Sequence, residues 1–147
     1  MPESAAAAPI RISVPARLGS LDLVHPALEQ LWEAHDNVTR LDRMRLETAV
    51  VEIFVNIVEH AYRADSEGQD ARRLELVLTV GEAGAEATFL DNGEPAEIDL
   101  SEVTMPDADS ESGRGLAMAL AALDDLGYER VDGRNRWHLL VRVPQPR

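Results

Sequence analysis

The stretch from Ala49 to Val58 constrains the fold more than any other part of this 147-residue chain. It is apolar nearly all round a helix, so the helix should be largely buried. Glu52 and Asn56 interrupt it, and because they are four residues apart they share one face of the helix. A carboxylate buried alone is costly, so Glu52 needs a partner, a metal ion or a wet cleft. The alternative is a polar stripe that faces solvent and continues through Glu59.

A second polar group, made of Asp91, Gly93 and Pro95, follows a predicted strand. Such residues favour turns, so one interpretation is simply the loop after a strand. The functional interpretation is a carboxylate at a strand end, beside a glycine that lets a ligand ring approach the backbone. The amino group of a purine is a natural donor to such a carboxylate.

A third group contains Gly113 and Gly115, at the start of a predicted helix that continues through Leu116. Glycines at a helix start expose backbone N–H groups to an anion, and the helix dipole adds to the attraction. The alternative is a flexible loop joined to a helix, since two glycines alone indicate little.

Hydrophobic periodicity along the chain predicts the element order β-α-α-β-β-α-β-β. The predicted strands are 10–14, 74–80, 85–90, 128–131 and 137–143, and the predicted helices are 26–36, 42–63 and 113–126. This order favours an α/β (α+β) two-layer sandwich, with a mixed, mainly antiparallel sheet and helices on one face. Residues 1–9 are predicted to be a flexible tail and residues 10–147 a single domain.

Composition excludes several classes of function. The chain has no cysteine and no lysine, which excludes disulfides, zinc–thiolate sites and lysine-based catalysis. Its formal net charge of −13 would repel a phosphate backbone, so we expect no direct nucleic-acid binding. No apolar run approaches the roughly 20 residues that span a bilayer. We therefore expect no membrane association and a cytoplasmic location.

In this order, the three polar groups resemble the GHKL ATPase superfamily, whose fold is the Bergerat α/β sandwich. The resemblance is strongest to its anti-sigma factor serine/threonine kinases and spans roughly residues 10 to 143. Three motifs carry it: an N-box at Glu52, Asn56 and His60, a first glycine box at Asp91, Gly93 and Pro95, and a second glycine box at Gly113, Gly115 and Leu116. The last hairpin, with Asn135 and Arg136, is also similar to this branch.

The resemblance implies a role for each matching residue. Glu52 would be the general base that accepts a proton from a substrate serine or threonine. Asn56 would bind Mg²⁺ through its side-chain oxygen. Asp91 would hydrogen-bond the adenine of ATP, and Gly93 would give the ring room. The phosphates would lie against the second glycine box, at Gly113, Arg114, Gly115 and Leu116.

The same resemblance implies partners. Such a kinase phosphorylates a STAS-type anti-sigma factor antagonist, sequesters a sigma factor and forms a homodimer, here through the edge of the strand at 10–14. Two alternatives stay open: a non-catalytic module that acts only by sequestration, and a histidine-kinase ATPase domain working in trans. The proline at 95 counts against the second, because sensor kinases more often have glycine there.

One segment fits the resemblance poorly. Residues 94–112 correspond to the family's ATP lid but contain seven acidic residues and no basic one: Glu94, Glu97, Asp99, Glu102, Asp107, Asp109 and Glu111. An acidic lid repels polyphosphate unless it points outward, so we expect modest nucleotide affinity or a basic partner at the lid. For the protein partners we expect a polar surface at Arg17, Arg40, Asp42 and Arg43.

Overall fold

The computed structural model describes residues 8–61, 72–96 and 114–143. These form β1 (Ile10–Pro15), α1 (Leu21–Ala34), α2 (Arg40–Asn56), β2 (Arg73–Val80), β3 (Ala85–Asp91), α3 (Arg114–Ala122), β4 (Asp125–Val131) and β5 (Arg134–Val141). A 3₁₀ turn (Leu18–Ser20) precedes α1, and a π-helical turn (Ile57–Ala61) continues α2. Most of the predicted tail and of the acidic segment lies outside the described residues.

The strands form one sheet in the order β1-β2-β3-β5-β4. Every neighbouring pair of described strands is antiparallel, which agrees with the predicted mainly antiparallel sheet and leaves no parallel pair among them. The reason is the position of β5. The crossover through α3 leaves β4 pointing the same way as β3, but β5 folds back between them and pairs with both.

The three α-helices in the described part of the chain cover one face of the sheet, as predicted. Alternate residues of the central strands point into this layer and are buried, among them Leu74, Leu76, Phe89, Trp137 and Leu139. Phe54 of α2 meets Phe89 of β3 with ring centroids 6.5 Å apart. The fold is therefore an α+β two-layer sandwich whose core lies between α2 and the middle of the sheet.

The α2 helix begins at Arg40, two residues earlier than predicted. The side chain of Thr39 caps it by accepting a hydrogen bond from the Asp42 backbone N–H at 3.1 Å. The predicted burial is confirmed for Val50, Ile53 and Phe54, which are fully buried.

The other two helices differ from their predicted limits. α1 begins at Leu21 rather than at Pro26, which lies inside the helix. α3 ends at Ala122 instead of continuing to residue 126. The Asp124 N–H donates to the Leu140 carbonyl at 2.9 Å, so the chain joins the sheet there. None of the described helices is long and apolar enough to cross a membrane.

Two tight turns depend on backbone conformation. The β4–β5 turn places Asp132 and Gly133 at φ values of 52° and 77°, the geometry that an Asp-Gly hairpin favours. Gly84, at the β2–β3 turn, has φ 136°, and a Cβ there would lie 2.8 Å from the Cα of Arg142. Only glycine fits that position without displacing the backbone beside it.

The predicted partner surface is partly wrong. Asp42 is buried rather than exposed, and its carboxylate accepts from Arg45 at 3.1 Å. Arg43 is half-buried: it donates to the Val38 carbonyl at 2.9 Å and lies 5.7 Å from the Trp32 ring. Intramolecular pairing explains why these polar residues lie within the fold. Arg17 and Arg40 are exposed, as expected.

Candidate functional site

Asp91 ends β3 on the face of the sheet that the helices cover, and its side chain is fully buried. Its Oδ1 accepts two hydrogen bonds, from the Gly93 N–H at 2.9 Å and from Asn135 Nδ2 at 2.8 Å. Its Oδ2 is buried and has no hydrogen-bond partner in the described part of the chain. A buried acceptor without a donor is costly, so this oxygen is a candidate contact for a ligand that donates.

Asn135 lies directly opposite Asp91 in the β3–β5 register and is also buried. Its Oδ1 accepts from the Tyr128 hydroxyl and from Arg130 Nη1, the latter at 2.9 Å. Because a guanidinium only donates, the Asn135 oxygen must face Arg130 and its amide nitrogen must face Asp91. The orientation of the pair is therefore determined by the network around it.

The same network holds the loop that follows Asp91. Arg130 donates to the Gly93 carbonyl at 2.8 Å, and Asn135 Nδ2 donates to the Glu94 carbonyl at 2.7 Å. The Tyr128 hydroxyl accepts from the Ala96 N–H at 2.9 Å. The predicted first glycine box is thus anchored on the β4–β5 hairpin.

Sequence reasoning did not assign Tyr128 or Arg130 to the site. The signal in the sequence that could have found them is the alternation along β4, which puts Tyr128 and Arg130 on the same face of the sheet. In the structure Arg130 pairs with Asn135 in the β4–β5 register. That pattern identifies the site only when the order of the strands is known.

Burial raises the pKa of Asp91 above its ordinary value of 3.8. The hydrogen bonds from Asn135 and Gly93 act in the opposite direction, as do the charges of Arg130 and Arg134, but burial outweighs them. The carboxylate is therefore held in a place where its charge is poorly solvated.

Glu52 of the N-box and Gly115 of the second glycine box lie where α2 packs against α3. A Cβ placed on Gly115 would be 2.5 Å from Glu52 Oε2, so the Glu52 carboxylate lies against the first turn of α3. Glu52 and Asn56 are both half-buried. Asn56 is the last residue of α2 before the π-helical turn, a distortion found frequently at functional sites.

Several predicted residues fall at the limit of what the structure describes. Gly113 is outside the described residues, and the side chains of His60 and Arg114 are not described. Leu116 is buried in the core, so any contact it makes to a ligand would come from its backbone.

The described residues fit a nucleotide. Asp91 Oδ2, which has no partner among the described residues, suits the amino group of a purine, and the first turn of α3 suits phosphate because helix N-termini attract anions. α2 connects these two parts, because Phe54 packs on Phe89 near Asp91 while Glu52 lies against Gly115.

Comparison with known proteins agrees with a nucleotide-binding site. The chain belongs to the histidine kinase-like ATPase domain family, whose sequence model matches residues 14–139, so the resemblance to GHKL ATPases is confirmed. Its fold is similar to "The crystal structure of the RsbU and RsbW domains of Rv1364c from Mycobacterium tuberculosis", with a TM-score of 0.62 and 22% identity. That match covers 95% of this chain and 34% of the other, so this chain spans about a third of its neighbour. A search of curated proteins found no match.

Proposed function

We propose that the protein is a cytoplasmic serine/threonine kinase of the anti-sigma factor type, which binds ATP with Mg²⁺, phosphorylates a STAS-type antagonist and sequesters a sigma factor. The observation that carries the proposal is the pairing of Asp91 with Asn135, which leaves one buried carboxylate oxygen free for the adenine amino group. Membership of an ATPase family supports ATP as the nucleotide.

In this proposal the glycine boxes hold the two ends of ATP. Asp91 Oδ2 accepts from the adenine amino group, and the loop at Gly93, anchored by Arg130, borders the ring. Backbone N–H groups from Gly113 to Leu116 bind the phosphates, with Arg114 adding positive charge.

Asn56 offers a hard oxygen ligand of the kind Mg²⁺ accepts, together with waters and phosphate oxygens. When bound, the ion neutralises charge on the phosphates. Asn56 is suited to this role because it follows Glu52 by one helical turn and so lies on the same side of α2.

Glu52 is the proposed general base. It takes the proton of the substrate hydroxyl as that oxygen forms a bond to the γ-phosphorus, and the bond from the γ-phosphorus to the bridging oxygen breaks to release ADP. The phosphoryl group ends on the serine or threonine of the antagonist.

The proposed partners are a STAS-type antagonist, a sigma factor and a second copy of this chain. The solved structure with a similar fold contains an RsbW domain beside an RsbU domain, which supports partners of this kind. For the homodimer, support comes from β1, an edge of the described sheet whose residues alternate between exposed and half-buried over Ile10–Ser13. Exposed strand edges are templates for pairing.

The test separates nucleotide binding from phosphoryl transfer. Glu52→Gln keeps the shape but removes the base, so calorimetry should show normal Mg-ATP binding while transfer from γ-labelled ATP to a STAS protein of the same genome slows about 10²–10⁴-fold. Asn56→Ala should weaken Mg-ATP binding itself. Glu33→Gln, an exposed glutamate of α1, is the matched control.

Two results would contradict the proposal. Folded protein that binds no ATP at millimolar concentration overturns the nucleotide site. Normal ATP binding without transfer to any STAS protein favours a module that acts only by sequestration.

A further inference from the structure

Gly115, the second residue of α3, lies against the Glu52 carboxylate. An ideal Cβ at Gly115 would lie 2.5 Å from Glu52 Oε2 and 3.6 Å from Glu52 Cδ, and outside α3 itself the described residues place no other atom within 4 Å of it. The space that any other side chain would take at this position is therefore occupied by one carboxylate.

Nothing in the local backbone requires glycine at this position. The described glycines with positive φ are Gly84 and Gly133, and Gly115 is in an α-helix, where alanine is the more favourable residue. The feature that explains a glycine here is the neighbouring side chain on α2.

We propose that Gly115 is a positioning residue for Glu52: its missing side chain lets the carboxylate lie at the first turn of α3. The inference rests on the proposed function, and it adds a role beyond the phosphate contacts of the glycine-box backbone.

The chemistry explains why this position matters. A general base must lie within hydrogen-bond distance of the hydroxyl whose proton it takes, and that hydroxyl must face the γ-phosphorus. In the proposed function, the backbone at the first turn of α3 binds the phosphates. A carboxylate beside the same turn is therefore next to the group being transferred, and a displacement of about 1 Å costs a reaction roughly 10²-fold.

Gly115→Ala tests the proposal because the predicted clash involves the flexible end of Glu52 rather than backbone. The variant should fold and melt at or above the wild-type temperature, since alanine favours the helix. The backbone N–H groups remain, so KM for ATP should change little. The value of kcat for transfer to the STAS protein should fall about 10²-fold. Gly127→Ala is the control, because a Cβ there meets nothing within 4 Å.

Glu52→Asp supplies the rescue. In the wild type, the shorter side chain retracts the base and slows transfer. In the Gly115→Ala background, Glu52→Asp also relieves the clash with the new Cβ. There it should lower kcat for transfer much less than in the wild type, or restore part of it. A crystal structure of Gly115→Ala should show the Glu52 carboxylate moved away from α3.

The outcomes are distinguishable. If Glu52→Gln slows transfer but Gly115→Ala does not, or Glu52→Asp costs the same factor in both backgrounds, this inference is wrong and the proposed function stands. An unmoved Glu52 in the Gly115→Ala crystal structure also overturns it. If Glu52→Gln transfers at the normal rate, the base assignment fails and this inference fails with it.

Discussion

Replacing Asp91 with asparagine should shift the purine preference of the site away from ATP and toward inosine triphosphate. Gly93 N–H and Asn135 Nδ2 both donate to Oδ1 of Asp91. Asn135 cannot turn round, because its oxygen is held by Arg130. In Asp91→Asn the amide oxygen must therefore take the Oδ1 position, and the amide NH₂ takes the position of the unpaired Oδ2. A donor then faces the ligand where an acceptor faced it before.

The magnitude follows from the hydrogen bond that is lost. A hydrogen bond to a charged group contributes about 1.5–3 kcal/mol, so Asp91→Asn should weaken ATP binding about 10- to 150-fold. Inosine triphosphate has a carbonyl oxygen in place of the adenine amino group. It accepts where ATP donates, so its affinity relative to ATP should rise in the variant.

Competition calorimetry with Mg-ATP and the magnesium complex of inosine triphosphate (ITP) measures the affinities for both nucleotides on the same protein. Asp125→Asn, at an exposed aspartate that starts β4, is the matched control and should keep the wild-type preference for ATP. Thermal unfolding without nucleotide checks the fold. Asp91→Asn should be at least as stable as the wild type at neutral pH, because a buried carboxylate costs more than a buried amide.

An unchanged ratio of ATP to ITP affinity in a folded Asp91→Asn variant would refute the reasoning. It would mean that Oδ2 does not face the base of the nucleotide, even if ATP binds elsewhere on the protein.

Three further predictions concern stability and pH. Because burial raises the pKa of Asp91, the contribution of this group to stability is fully present below its ordinary pKa of 3.8 and is lost as the pH rises through its folded-state pKa. ATP affinity should follow the opposite trend and fall on acidification, because Oδ2 gains a proton. Urea titrations for stability and calorimetry for ATP affinity, each at several pH values and with Asp91→Asn as reference, should show these two trends. Gly84→Ala should lower the free energy of unfolding by about 3 kcal/mol through overpacking and a positive φ, while Gly81→Ala, where a Cβ meets nothing within 4 Å, should change it by less than about 0.5 kcal/mol. Arg45→Met should lower the free energy of unfolding by about 1–3 kcal/mol, because Arg45 donates to the Ala122 carbonyl and pairs with Asp42 and Asp124. Chemical denaturation of this variant and of the exposed control Arg40→Met measures the difference in free energy of unfolding.

The parts of the fold that were predictable are those encoded by short-range patterns. The all-round apolar run predicted the burial of α2, and the Asp132-Gly133 pair predicted the last hairpin. Asp91 was placed correctly at the end of a strand, because strand alternation and turn residues are both local features.

The partners of Asp91 were not predictable in the same way. Asn135 is 44 residues away along the chain, and it meets Asp91 only because β5 lies between β3 and β4. Tyr128 and Arg130 join the site for the same reason. The limits of α1 and α3 also depended on tertiary structure, since a proline inside α1 is tolerated and the sheet ends α3.

The position of β5 has a consequence for how the protein is made. Synthesis runs from the N-terminus, so α2, with Glu52 and Asn56, leaves the ribosome long before Asn135. Until β5 pairs with β3, Asp91 lacks both its cross-strand neighbour on β5 and the hydrogen bond from Asn135 Nδ2. The loop at Gly93 also lacks its hydrogen bond from Arg130 as long as the β4–β5 hairpin is unfolded. Under the proposed function, a nascent chain gains its adenine contact only when the last hairpin folds, so a ribosome-bound chain halted before Asn135 should not bind ATP.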